Sequence, residues 1–209
     1  RWFAYLFQDH GGVGRCPWLV PVEWKDGWPV LGVDGKAPRA VDLPPSKGLI
    51  PGIVAPDEFE RKPGERPLPL VWQWNHNPDA SGWSLAERPG WLRIKTSRRD
   101  AVLTEARNQL SQRTFGPRSF VETYVDTAAL KDGDFAGLTL FQKQYGFIAV
   151  AMDKGQRRVV AVTAPNGGAP VESAAVALQG SGVYLRADCD YRRRADKGTF
   201  SYSLDGKTW

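Results

Sequence analysis

Apolar and polar positions alternate with a period of two along much of this chain, in short runs. Residues 2–7, 18–24 and 28–31 are rich in aromatic and β-branched side chains. The same texture returns at 120–125, 135–142, 145–152, 157–163, 183–189 and 199–203. Turn signals stand between the runs: Asp26-Gly27, Asp34-Gly35, Lys131-Asp132-Gly133-Asp134, Asp153-Lys154-Gly155 and Asp205-Gly206. An Asp-Gly pair supplies the left-handed backbone that a tight hairpin needs. No stretch sustains a 3.6-residue period, so the rhythm predicts an all-β chain. Over 70–209 it predicts an antiparallel two-sheet sandwich. The last turn is followed only by Lys207, Thr208 and Trp209, which would leave a sheet edge open. The chain is therefore expected to be cut short there, and to begin at Arg1 in the middle of a fold.

Residues 36–69 break the pattern. Eight of the 16 prolines lie between Pro38 and Pro69, among glycines and charges. Proline has no N–H to give a ladder and favours extended backbone. This segment is expected to connect the strands of 1–35 to the sandwich of 70–209, packing along a surface.

The densest chemistry follows it. Trp72, Trp74, Trp83 and Trp91 are four of the nine tryptophans, set among Asn75, His76 and Asn77. Each indole brings an apolar face and one N–H that wants a partner. The cluster is either a packed strand-and-turn core or a platform for a sugar ring, with Trp74 and His76 as candidate contacts. Nearer the start, Gln8-Asp9-His10-Gly11-Gly12-Val13-Gly14-Arg15 is a glycine-rich polar loop. It lacks the Lys-Ser/Thr ending and following helix of a phosphate cradle. Two cysteines, Cys16 and Cys189, form no framework and no zinc spacing. Cys189 reads as a small buried strand residue.

Among 209 residues, 42% hydrophobic and 24% charged, there is material for one large or two small domains. No apolar run has the roughly 18 to 20 residues of a membrane helix. The net charge of +5 is dispersed in Arg98-Arg99, Arg157-Arg158 and Arg192-Arg193-Arg194, each with an acidic neighbour. That footprint reads as solvated surface and not as a nucleic-acid face.

Several of these stretches resemble glycoside hydrolase family 43, of the two-domain β-xylosidase and arabinofuranosidase type. Leu6-Phe7-Gln8-Asp9-His10-Gly11-Gly12-Val13-Gly14-Arg15 and Val22-Glu23-Trp24-Lys25-Asp26-Gly27-Trp28-Pro29-Val30 look like the end of that family's five-bladed β-propeller. Trp72-Gln73-Trp74-Asn75-His76-Asn77-Pro78, Ala106-Arg107-Asn108-Gln109-Leu110-Ser111-Gln112-Arg113-Thr114 and Lys131-Asp132-Gly133-Asp134-Phe135-Ala136-Gly137-Leu138 look like its concanavalin A-like sandwich. The resemblance implies hydrolysis with inversion of xylose or arabinose units from xylo-oligosaccharides or arabinoxylan. One carboxylic acid protonates the leaving oxygen, a second activates water, and a further Asp tunes the acid. By that pattern all three precede Arg1, so no catalytic residue is expected in this chain, which by itself would be inactive. Arg15 matches an arginine lining the substrate subsites; its forked guanidinium suits sugar hydroxyls and biases a nearby carboxyl. The alternative for Arg15 is an ion pair with Asp9 or Asp26. His10 would face the same pocket or brace Asp9, and Trp74, Asn75 and His76 would sit where sandwich meets propeller. No cofactor or metal is expected in these residues; a calcium would belong to the absent blades. An extracellular or periplasmic setting is favoured over the cytoplasm, and the oligomeric state is open. The competing function is a carbohydrate-binding sandwich without catalysis, since the fold alone does not imply chemistry.

Overall fold

The structure, a computed structural model, describes residues 1–45, 47–48, 52–166 and 168–209. The part of the Pro-rich segment at 46 and 49–51 lies outside the described residues. Fourteen strands are present among the described residues, and the only helical pieces are four 3-10 turns of three residues each.

Strands β1 (Trp2–Asp9), β2 (Arg15–Lys25) and β3 (Trp28–Leu31) form an antiparallel meander. The β1–β2 register runs from Trp2↔Val22 to Asp9↔Arg15. The β2–β3 turn is the Asp-Gly pair, with both residues left-handed (Asp26 φ 50°, Gly27 φ 80°), as a twisted two-residue hairpin demands. This small sheet exposes large apolar side chains, among them Trp2, Tyr5, Phe7, Trp24 and Trp28, and buries Val20.

Short pairs follow: β4 (Gln73–Trp74) with β7 (Leu110–Ser111), and β5 (Trp83–Ser84) with β6 (Arg93–Ile94). Between β3 and β4 the described residues carry no strand. The segment is fastened by side chains instead. Gln112 donates to Ala55 O and accepts from Ala55 N, both at 2.9 Å. Asp57 gathers Arg61, Trp72 and its own turn.

The remaining strands make the two layers. One sheet has the order β12 (Val171–Ala177), β11 (Gln156–Ala164), β10 (Tyr145–Asp153), β9 (Phe135–Leu140). The other has the order β14 (Lys197–Ser203), β13 (Gly182–Asp190), β8 (Arg118–Asp126). Every second residue of β13 is buried, Val183, Leu185, Ala187 and Cys189, because a strand with one face on a core alternates in this way. Val183 and Leu185 meet Ile148, Val150 and Val159 of the opposite sheet, closed by Leu178 and by half-buried Val125, Leu138 and Phe200. On the other face of β10 and β11, Ala149, Ala151, Val160 and Val162 form a second apolar cluster with Phe147. The architecture is the all-β sandwich with a separate strand meander before it. Cys16 and Cys189 are free thiols.

Candidate functional site

The β1–β2 connection is a tight loop over His10, Gly11, Gly12, Val13 and Gly14. His10 N donates to Gly14 O and Gly14 N to Gly11 O, each at 2.8 Å, and Asp9 Oδ1 accepts from Gly11 N at 2.9 Å. Gly11 and Gly14 are left-handed (φ 65° and 83°), a conformation that glycine adopts without steric cost. Close approach adds a second constraint. A Cβ on Gly11 would run into the carboxylate of Asp196, and one on Gly12 would sit 2.8 Å from the ring of Tyr191.

The loop therefore lies on the sandwich. Gly12 N donates to Asp196 Oδ2 at 3.0 Å, and Arg194 Nη2 donates to Asp9 O at 3.3 Å. Val13 lies against Gly116. The support is itself tied down, since Tyr191 N donates to Pro117 O at 3.0 Å. Burial first, and hydrogen bonding to Cys189, push the Tyr191 phenol up to about 12 against an opposing bond with Thr114, so it stays neutral at physiological pH.

On this platform Arg15 is exposed, with its guanidinium carbon 5.2 Å from the centre of the Phe7 ring. Among the described residues no ion pair joins it to Asp9 or Asp26; Asp9 uses Oδ1 on its own turn. His10 is half-buried, and its Nε2 is enclosed without a hydrogen-bond partner among the described residues. The two candidates stand at the two ends of the same loop. Each presents unspent hydrogen-bonding capacity.

Trp74 and His76 stand in a different neighbourhood. The ring of Trp74 tilts against that of Trp83 at 5.5 Å. Asn75 donates through Nδ2 to Thr104 O (3.1 Å) and Ala106 O (3.2 Å), and its N–H goes to Gln109 O. His76 Nε2 lies 2.9 Å from Thr104 O. A depression of about 170 Å³ is lined by His76, Arg98, Glu105 and Arg107. Among the described residues, the hydrogen bonds and ring contacts of residues 74–76 run to 83 and 104–110, and none runs to 1–35. His10 and Arg15 flank the same tight loop, and among the described residues no hydrogen bond or ring contact joins Trp74 or His76 to it.

Several carboxylates are held in the charged form by their partners. Arg186 holds Asp188 below the usual range, Arg192 does so for Asp190, Lys95 for Glu87, and the Ala128 N–H leads for Asp126. A general acid needs the opposite displacement. No group of three or more His, Cys, Asp or Glu that could hold a metal ion occurs among the described residues. The basic clusters are also engaged: Arg98 with Asp100, Arg158 with Glu172, Arg192 with Asp190.

A family model described as the beta-xylosidase C-terminal concanavalin A-like domain matches residues 57–209. The chain belongs to that family. Among relatives of this beta-xylosidase C-terminal family, a beta-xylosidase of Formosa agariphila is 27% identical, over 100% of this chain and 38% of that protein. A putative beta-xylosidase of Xylanibacter ruminicola is 32% identical over 76% of this chain and 31% of its own length. The solved structure of a bifunctional GH43-CE protein of Bacteroides eggerthii superposes with a TM-score of 0.93 and 55% identity, over 100% of this chain and 27% of that one. The chain spans well under half the length of these relatives.

Sequence reasoning did not find Asp196, Tyr191, Arg194 and Gly116, which carry the loop. They stand more than 100 residues from it, and Arg192-Arg193-Arg194 reads as plain surface charge. The one available signal was an unusual loop, with glycines at three of the four positions 11–14, which asks what approaches so closely.

Proposed function

We propose that this chain is part of an inverting glycoside hydrolase that removes xylose or arabinose residues from xylo-oligosaccharides or hemicellulose. In this reading residues 1–35 close the catalytic propeller and Arg15 binds substrate at its rim. The acid and base are carboxylates outside these 209 residues.

One observation carries the reading. The similarity to the GH43-CE structure extends over the whole chain, including residues 1–56 that precede the sandwich match. A free-standing binding module has no use for such a meander. In it Arg15 is exposed, lies over Phe7 and has no carboxylate partner among the described residues. A guanidinium so placed has five N–H donors for sugar hydroxyls, in a planar fork that Lys could not reproduce.

The test is hydrolysis of an aryl β-xyloside and an aryl α-arabinofuranoside by the full-length protein, with the anomer of the first product read by proton NMR. Release of the inverted sugar supports the proposal. Retention of configuration, or adsorption to xylan with no hydrolysis of either glycoside, contradicts it and favours the binding module.

A further inference from the structure

The turn 191–196 between β13 and β14 is peculiar in its backbone. Arg193, Arg194 and Asp196 are all left-handed (φ 53°, 58° and 44°), with no glycine among them. Each such residue is strained and persists only where surrounding structure holds it. A plain surface connection would place Gly or Asn there. Two of these three side chains are the ones that reach the β1–β2 loop, Asp196 to Gly12 N and Arg194 to Asp9 O. Below them the turn is braced by Tyr191 N to Pro117 O, Ala195 N to Arg192 O and the paired Arg192–Asp190 bonds.

We propose that Asp196, with Arg194 and the ring of Tyr191, is a positioning residue that fixes the Arg15 loop from the sandwich side. The inference deepens the glycosidase reading and rests on it for the kinetic part of its test. The chemistry is specific. A carboxylate oxygen is a strong acceptor for a backbone N–H, and this bond spans 184 residues to pin the loop at Gly12, three positions from Arg15. The Arg194 bond to Asp9 O pins the other limb, at the last β1 residue, paired across the ladder with Arg15. Since Gly11 and Gly12 leave no space for a Cβ, the loop and turn meet in one arrangement. The sandwich thereby sets the angle at which the guanidinium meets a sugar. Its contribution to turnover is made without touching substrate, and small errors of placement in such groups weaken the transition state disproportionately.

The experiment uses the full-length protein and the variants Asp196→Ala, Asp196→Asn, Arg15→Ala and the double variant Asp196→Ala/Arg15→Ala. Asn keeps an oxygen acceptor for Gly12 N–H, so Asp196→Asn should stay within about 2-fold of wild type. Asp196→Ala should lower kcat/KM for the aryl glycoside about 10-fold. In the Arg15→Ala background the same change should have little further effect, because its route through Arg15 is gone. Independently of activity, amide exchange at Gly12, whose N–H Asp196 accepts, should speed up about 10-fold in Asp196→Ala and not in Asp196→Asn. Unchanged exchange overturns the proposal. So do full additivity with Arg15→Ala, and equal losses in the Asn and Ala variants. A wild-type protein that hydrolyses neither glycoside but shows the exchange effect defeats the glycosidase reading and leaves the positioning of the loop standing.

Discussion

Asp57 Oδ2 accepts the indole N–H of Trp72 at 2.8 Å while the same carboxylate receives two arms of Arg61, at 2.7 and 2.9 Å. Its side chain is only 7% exposed and that of Arg61 18%, and Phe59 stacks on Trp72 at 5.6 Å. The ion pair lies within the Pro-rich segment and is largely enclosed, and the Trp72 indole bond ties its carboxylate to the start of the sandwich. Removing one partner of such a pair strands the other. Asp57→Ala is expected to destabilise the protein by about 3 kcal/mol, read as a lowered midpoint in urea unfolding. A shift under about 0.5 kcal/mol would show that the clamp is ornamental.

The same carboxylate sets a pH dependence. Burial works to raise its pKa, but the bonds from Arg61, Trp72 and the Phe59 N–H outweigh it and hold the folded value below normal. A group whose folded pKa is depressed contributes stability that is complete above its unfolded value, about 3.9, and drains away as pH falls through the folded value. Wild type should therefore lose stability below about pH 4 more steeply than Asp57→Asn does. Parallel acid limbs for the two proteins would refute this assignment.

The inter-sheet core predicts two further losses. Leu185 is fully buried among Ile148, Val150 and Val159, so Leu185→Ala should cost about 3 to 4 kcal/mol. Gly137 pairs with Ala149 in the neighbouring strand, and a Cβ there would fall on the carbonyl oxygen of Ile148. Gly137→Ala should cost about 2 kcal/mol through overpacking and a displaced ladder. Thermal melts of both variants at neutral pH check this; a Gly137→Ala protein as stable as wild type would mean that β9 and β10 can separate freely.

Much of this fold was legible in the sequence, and what escaped has physical reasons. Residues 28–31 form β3 over those same positions, and the runs at 145–152 and 183–189 need one extra residue at one or both ends. Alternation is strongest where one face is buried. β12 was not foreseen. It is an edge strand exposed along its whole length and rich in alanine, so neither burial pattern nor β propensity marks it. The two-residue strand at Trp74 exists through pairing with Leu110, 36 positions on, and that at Trp83 through a single pair of rungs to 93–94, too short for a local pattern to mark. At the site, the glycines announced a tight loop around Arg15. The turn it leans on, 191–196, gave only a charge cluster.

The loop itself can be broken by one methyl group. Gly11 is left-handed and sits against Asp196, so Gly11→Ala meets both backbone strain and a clash. In the full-length protein it should lower kcat/KM on an aryl xyloside at least about 10-fold while costing the sandwich about 1 kcal/mol. Wild-type kinetics in this variant would show that the loop tolerates rearrangement and that its geometry is not used.

The measurement that bears most directly on the account is steady-state hydrolysis of an aryl xyloside by full-length Arg15→Ala, with a thermal melt of the same preparation. Arg15 is exposed and its guanidinium lies over the Phe7 ring at 5.2 Å, a contact worth about 0.5–1 kcal/mol at such a site. The melting midpoint should therefore stay within about 2 °C of wild type. Loss of a charged hydrogen-bond donor to the sugar should lower kcat/KM about 10- to 100-fold. That combination is the predicted result. An unchanged kcat/KM, or a large drop in the midpoint with kinetics intact, would make Arg15 a structural residue and contradict the assignment of this rim to substrate.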